Sequence, residues 1–379
     1  MKLKKLYIVF IIVLLINTIL CSHSNGANFN ANSPSAILFN SNTEKILYEK
    51  NAYEIRYPAS TTKIMTAILA LENCNLDDLA TVSNTAIKIP FGYTTANLQP
   101  GEIISINDLL HLLLIISAND AANVLAEHVS GSINEFSNMM TAKAKEIGCL
   151  NTNFTNPSGI HNPNHYSTAY DLCLIANYAM KNEIFRQIVS TTTYTIPSTN
   201  KSEERILTNT NRLLHEFVEK STDNNIYYYE FATGIKTGYT TEAKNCLVAS
   251  AKKDGTEYIA VILASNANET FNNSQRFSDA KNLFITAFEN YSLSTIKHVN
   301  DVVTNVEIKN VDFFGKNLDL LLTEDLTLLI KNEDLEIELQ PEITLYEDKL
   351  QAPICQGDVL GTVTYSYDRN ILYTKYCSC

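Results

Sequence analysis

Ser60 and Lys63 stand three residues apart in the run Tyr57-Pro58-Ala59-Ser60-Thr61-Thr62-Lys63-Ile64-Met65-Thr66-Ala67. Apolar residues at Ile64, Met65, Ala67, Ile68 and Leu71 recur at helical spacing, and Pro58 with Ser60 marks a helix start. Positions i and i+3 share a helix face, so the Lys63 amine is expected one turn above the Ser60 hydroxyl. A helix N-terminus adds free N–H groups and positive partial charge, which favour a developing oxyanion and a neutral lysine. Serine beside a basic lysine is one route to a nucleophile without histidine.

Alone, the spacing is weak evidence. Ser-x-x-Lys recurs at Ser198 to Lys201, Ser250 to Lys253, Ser278 to Lys281 and Ser294 to Lys297. Two further motifs change its weight. Ser117-Ala118-Asn119 falls between two helical segments, a usual place for a polar pair facing a cleft. Lys236-Thr237-Gly238-Tyr239 precedes the apolar strand around Leu247. Ser-x-Asn also recurs, at Ser105, Ser132 and Ser198, whereas Lys-Thr-Gly occurs once. Each motif read singly is a loop or a strand entry. All three in this order and in these contexts make a strong signal.

The elements that must position these residues are legible as runs. Residues 33–50 read as a hairpin around Asn40-Ser41-Asn42, and a helix follows Ser60. Short β-like pieces and turns occupy residues 77–105. Helices are expected over Ile106 to Ile116, over Asp120 to Val129 ending at Gly131, and from the capping box Ser132-x-x-Glu135 to Gly148. Another runs from Thr168-x-x-Asp171 to about Met180. Strands are expected over Asn245 to Ser250 and Glu257 to Ala264 around Asp254-Gly255, then a helix over residues 276–290. This order predicts an α+β fold, an antiparallel sheet with a helical cluster, followed by a small all-β domain. In that domain strands are expected over Val302 to Val311, Leu318 to Lys331, Leu335 to Leu345 and Val359 to Tyr367. The domain reading is 1–27 a secretory signal peptide, 28–291 the main domain, 292–367 a β-sandwich and 368–379 a short tail.

Composition bounds the partners. The chain has 379 residues, 45% hydrophobic and 18% charged, with a formal net charge of −12. That is a globular protein with a sizeable core, and the acidic balance argues against nucleic acid as a partner. Lys2, Lys4 and Lys5 precede an apolar run from Leu6 to Leu20, with small and polar residues after it. This is the layout of a cleaved secretory leader, and it predicts an extracytoplasmic protein. The 8 cysteines are irregularly spaced, so no disulfide framework is expected, and Cys377 and Cys379 are the expected exposed thiols.

The three motifs together resemble those of serine β-lactamases and penicillin-binding proteins, with Ala118 where aspartate is common. The likeness extends to Leu113 through Ala122, Asn156-Pro157-Ser158-Gly159 and His165 through Asp171. Over about residues 33–290 the chain is similar to low-molecular-weight penicillin-binding proteins of the serine D-alanyl-D-alanine carboxypeptidase family. The resemblance implies a β-lactamase/transpeptidase-like fold and catalytic Ser60, Lys63 and Ser117. It implies that Asn119, Lys236, Thr237, Gly238 and Tyr239 bind substrate, the Ser60 and Tyr239 N–H groups forming the oxyanion hole. The implied partners are peptidoglycan stem peptides ending in D-Ala-D-Ala, with β-lactams as covalent inhibitors. No cofactor and no metal are expected. Family members often end in an amphipathic membrane anchor; here only Ile371, Leu372, Tyr373 and Tyr376 are apolar, too short a set for an interfacial helix. Peripheral membrane association stays open.

Two alternatives share these residues. A serine β-lactamase needs a base for the deacylating water; Glu183, Glu203 and Glu204 are available, none in a recognisable motif. A catalytically dead wall-binding scaffold is opposed by the intact Ser60, Lys63, Ser117, Asn119 and Lys236. A metal peptidase is opposed by Pro163, which breaks the helical spacing of His161 and His165.

Overall fold

A computed structural model describes residues 27–217, 224–266, 274–310, 317–334, 339–367 and 371–378. Of the expected leader only Ala27 falls within them, and Cys379 lies outside. The chain is α+β. The expected hairpin is β1 (Ser35–Asn40) and β2 (Lys45–Lys50). A 3-10 turn over Ala59–Thr62 leads into α1 (Lys63–Asn73). The short strands β3 (Leu79–Thr81) and β4 (Ile103–Ser105) pair with each other. Next come α2 (Ile106–Leu114), α3 (Asn119–Ser130), α4 (Ile133–Ile147) and α5 (Ala169–Ala179). Their ends follow local rules. Ser105, Ser132 and Thr168 accept the N–H of Asp108, Glu135 and Asp171, and Gly131 and Gly148 close α3 and α4 at φ 78° and 105°.

The helix α6 (Glu183–Ser190) is absent from the sequence reading. It has only 8 residues, too few for periodicity to register. The Asn182 side chain caps it, and Phe185, Ile188 and Val189 are buried. The remaining elements of this region are β5 (Thr193–Ile196), β6 (Arg205–Thr208), β7 (Ala232–Thr240), β8 (Lys244–Lys253), β9 (Thr256–Ser265) and α7 (Gln275–Asn290).

The main sheet is antiparallel in the order β2-β1-β9-β8-β7. Its inner strands β1, β8 and β9 are buried on both faces, so alternate residues enter different cores. Ile37, Phe39, Val248, Ile259 and Val261 pack with the helical cluster of α1 to α5. Their neighbours Leu38, Leu247, Ala249, Ala260 and Ile262 pack with Phe277, Leu283 and Phe284 of α7. This arrangement leaves β7 at the edge, against the 3-10 turn that carries Ser60.

The helix α7 runs directly into β10 (Tyr291–Lys297), and the texture changes to strands: β11 (Val302–Glu307), β12 (Asn317–Leu322), β13 (Leu326–Lys331), β14 (Pro341–Leu345), β15 (Val359–Tyr367) and β16 (Ile371–Ser378). The run Leu318 to Lys331 is two strands in different sheets: β13 pairs with β10, and β12 joins β11-β12-β16-β15-β14. Leu322, Leu328, Ile330 and Val363 form one core from both sheets. The tail expected at 368–379 needs correction. Residues 371–378 form β16, the central strand of the larger sheet, paired along β15. Its Ile371-Leu372-Tyr373-Thr374-Lys375-Tyr376 is β-prone, and too short an apolar set for an interfacial helix. Leu329 also packs into the α7 core, and Phe29 stacks on Tyr291, so the β region packs against the main domain at α7.

Candidate active site

Ser60 lies in the 3-10 turn, one turn ahead of α1 proper. Residues i and i+3 eclipse in a 3-10 helix, which sets Lys63 directly over Ser60. The Lys63 Nζ is 2.9 Å from Ser60 Oγ. Thr61 Oγ1 donates to Pro58 O at 2.7 Å and closes the turn, while Ala59 holds a left-handed φ of 48°. Left-handed backbone at a non-glycine residue is strained, and Ser117, at φ 67°, shares it.

Lys63 is fully buried and has two further partners, Asn119 Oδ1 and Ser158 O, each at 2.7 Å. An ammonium would donate to all three oxygens. A neutral amine has two N–H groups and a lone pair: the amide and carbonyl oxygens take the N–H groups, and the lone pair faces Ser60 Oγ. Burial, then the charge of Lys236, hold the Lys63 pKa well below that of an ordinary lysine, against an opposing pull from Asp120. The geometry and the electrostatics agree on a base.

Asn119 opens α3, and its Nδ2 donates to Thr94 O at 3.0 Å. That bond turns Oδ1 toward Lys63. Ser158 O is delivered by the turn Asn156–Gly159, in which Asn156 Oδ1 accepts the N–H of Gly159 at 2.8 Å and of Ser158 at 3.2 Å. Gly159 has φ 82°, and a Cβ there would lie 1.8 Å from Ala59 O, so only glycine lets this turn meet the Ser60 turn. His165 braces the back: its Nδ1 accepts Thr155 N at 3.1 Å, and its Nε2 is 2.8 Å from Thr62 Oγ1.

The edge strand β7 forms the opposite wall. A Cβ on Gly238 would lie 3.1 Å from both Ser60 N and Pro58 O, so the missing side chain permits close approach of strand and turn. Lys236 is buried, and its Nζ donates to Thr237 O at 3.1 Å. Its pKa is lowered to about 7, first by burial and then by Arg276. Arg276, at the start of α7, donates from Nη1 to Gly238 O at 3.0 Å and Cys246 O at 3.2 Å.

Ser60, Ser117, Asn119, Thr237, Gly238 and Tyr239 all line one cavity of about 690 Å3, together with Arg276. Lys63 and Lys236 lie behind its wall. Among the described residues the Ser117 hydroxyl makes no hydrogen bond, which leaves it free to rotate. The decoys are elsewhere. Ser250 and Lys253 lie on β8, and Ser294 and Lys297 on β10, where an i, i+3 pair points to opposite faces. Lys281 on α7 donates to the carbonyls of Ile226 and Tyr228. Sequence reading missed Ser158 O, Thr210 and Arg276 as parts of this site. A backbone carbonyl has no sequence signature, and Arg276 is far along the chain from each motif.

A family profile described as D-alanyl-D-alanine carboxypeptidase matches residues 22–267, and one described as penicillin-binding protein 5, C-terminal domain, matches residues 291–377. D-alanyl-D-alanine carboxypeptidase DacF of Bacillus subtilis is 34% identical over 346 residues, covering 89% of this chain and 82% of its own. D-alanyl-D-alanine carboxypeptidase DacC of Escherichia coli is 31% identical, covering 87% of this chain and 78% of its own. The crystal structure of penicillin binding protein 5 from Haemophilus influenzae superimposes with a TM-score of 0.74 at 26% identity, over 92% of this chain and 96% of that one. The Streptomyces K15 DD-transpeptidase gives 0.61 at 32% identity, over 68% and 98%.

Proposed function

The chain belongs to the D-alanyl-D-alanine carboxypeptidase family, and on that premise we propose that it removes the terminal D-alanine from peptidoglycan stem peptides through an acyl-enzyme on Ser60. Lys63 takes the Ser60 proton as the oxygen attacks the carbonyl between the two D-alanines. The oxyanion is held by the N–H groups of Ser60 and Tyr239. Ser117 passes a proton to the leaving D-alanine nitrogen, and the C–N bond breaks. Water then attacks the ester and releases the shortened peptide. Asn119 holds the amine of Lys63 and meets the substrate amide.

The terminal carboxylate is read at the cavity wall by the Thr237 hydroxyl and the Arg276 guanidinium, while Lys236, behind the wall, acts on the proton affinity of Lys63. A β-lactam presents a strained amide and a carboxylate to the same groups and acylates Ser60. We assign the catalytic unit to residues 28–291, with the β unit after it, and place the reaction outside the cytoplasmic membrane, where its substrate lies. A leader over residues 1–27 would carry the chain there.

The observation that carries this reading is the Lys63 amine, 2.9 Å from Ser60 Oγ, with two acceptors consuming its N–H groups. A β-lactamase would need a carboxylate at the cavity for its water. Glu183 opens α6, and Glu203 and Glu204 lie between β5 and β6; none lines the cavity among the described residues. The test is D-alanine release from a diacyl-lysyl-D-alanyl-D-alanine peptide, beside intact-mass measurement after penicillin treatment. Turnover with a persistent penicillin adduct is expected. Rapid penicillin hydrolysis without peptide turnover would make it a β-lactamase.

A further inference from the structure

Thr210 stands outside every motif that the sequence singles out, yet it touches two walls of the cavity. Its backbone N–H donates to Ile115 O at 3.2 Å, two residues before Ser117. Its hydroxyl lies 2.7 Å from the Thr237 hydroxyl, and both residues line the cavity with Ser60. The backbone that carries it is held on both sides. Asn209 N donates to Thr192 O at 2.8 Å, Asn209 Nδ2 to Thr191 O at 2.9 Å, and Asn211 N to Asn209 Oδ1 at 2.9 Å. The Thr210 Cα is therefore fixed, although its side chain is open to the cavity.

Two facing hydroxyls share one O–H···O bond, and in water either can donate. A carboxylate has no proton to give. An anion bound at Thr237 takes the Thr237 proton as its hydrogen bond, which leaves the Thr237 oxygen as an acceptor. Thr210 then becomes the donor to it. A donor behind a hydroxyl polarises it and strengthens its forward bond. An amide end group carries N–H donors and satisfies Thr237 in either direction, so it gains little from a fixed chain.

We propose that Thr210 is a positioning residue for the substrate's free terminal carboxylate, acting through the hydroxyl of Thr237. This rests on the carboxypeptidase reading above. It adds a specificity element from the segment between β6 and β7, which otherwise supplies no part of the reaction.

The test is steady-state kinetics of the wild type, Thr210→Val and Thr210→Ser on a D-alanyl-D-alanine peptide and on its C-terminally amidated form. Valine keeps the shape and removes the hydroxyl. It should raise KM for the free acid by about 3- to 10-fold, the loss of one modest hydrogen bond, with kcat near wild type. Serine should restore KM to within about 2-fold, and the amidated peptide should not distinguish the three proteins. An unchanged KM in the valine variant, equal losses on both peptides, or failure of serine to restore binding would each overturn the proposal. If valine lowers the melting temperature, Thr210→Ala is read by the same comparison. Absence of D-alanine release by the wild type would instead sink the carboxypeptidase reading. The Thr210 inference would then be decided by acylation with benzylpenicillin against its methyl ester, where only the free acid should sense the variant.

Discussion

Lys236 sits close enough behind Lys63 for its charge to depress the proton affinity of the Lys63 amine, and both side chains are excluded from solvent. Acylation needs Lys63 neutral, so its rate should rise with pH through the Lys63 pKa. Replacing Lys236 by methionine removes the neighbouring charge, which lets Lys63 hold its proton to higher pH. The acid limb of penicillin acylation should move upward in pH. An unmoved limb would mean that burial alone tunes the base.

Ser60 is expected to carry the only penicillin adduct. It alone among the Ser-x-x-Lys serines faces both its lysine and the cavity. Peptide mapping after penicillin treatment should place the label on Ser60, and Ser60→Ala should abolish it. Lys63→Arg keeps the charge but cannot deprotonate near neutral pH. Acylation should fall by roughly 10²- to 10⁴-fold, the usual scale for a lost general base. Near-normal acylation by the arginine variant would remove Lys63 from that role.

Carboxylate recognition and base tuning should separate by mutation. Arg276 reaches the cavity, whereas Lys236 lies behind it with its amine on Thr237 O. Arg276→Gln should lower kcat/KM for a free-acid peptide by about 10- to 150-fold, the range for a charge-assisted hydrogen bond. The amidated peptide should lose little. Lys236→Gln should impair both peptides alike. A free-acid-selective loss at Lys236 would show instead that its ammonium reads the carboxylate.

Acid should drain stability through His165. Burial, then His161 and Lys63, lower its pKa from 6.5 to about 3. Above pH 6.5 the ring is neutral in both folded and unfolded chains, so it has no effect there. Between pH 6.5 and about 3 only the unfolded chain takes up the proton, and stability falls with pH at up to ~1.4 kcal/mol per unit. Denaturant titrations of the wild type and His165→Asn across this window check it. An identical slope in the variant would place the acid sensitivity elsewhere.

Glu102 should be costly to remove. It is fully buried and accepts from Arg205 Nη2 at 2.8 Å and Thr199 Oγ1 at 2.9 Å, tying the β5–β6 hairpin beside the cavity to β4. Glu102→Ala strands the Arg205 charge and should destabilise the fold by about 3–5 kcal/mol, read from the denaturation midpoint. A loss below about 1 kcal/mol would mean that water reaches the pair.

Local rules made much of this chain legible from the order of its residues. Caps at Ser105, Ser132 and Thr168, glycine stops at 131 and 148, and the hairpin at Asp254-Gly255 act within a few residues of themselves. The spacing of Ser60 and Lys63 is likewise a matter within a single turn. What joined Lys63 to Asn119 and Ser158, and the Ser60 turn to β7, could not be read that way, because the Lys63 contacts span 56 and 95 residues and the β7 contact more. Packing chose which Ser-x-x-Lys faces a cavity, and burial beside Lys236 favours the neutral amine that can accept a proton. Short elements also escaped: α6 is too brief for its period to show, and β16 is a strand because β15 and β12 offer it partners. Side-chain identity sets which contacts are available to a residue. Only the closed tertiary structure, by removing water and fixing distance, decides which of them carry a charge, a proton or a substrate.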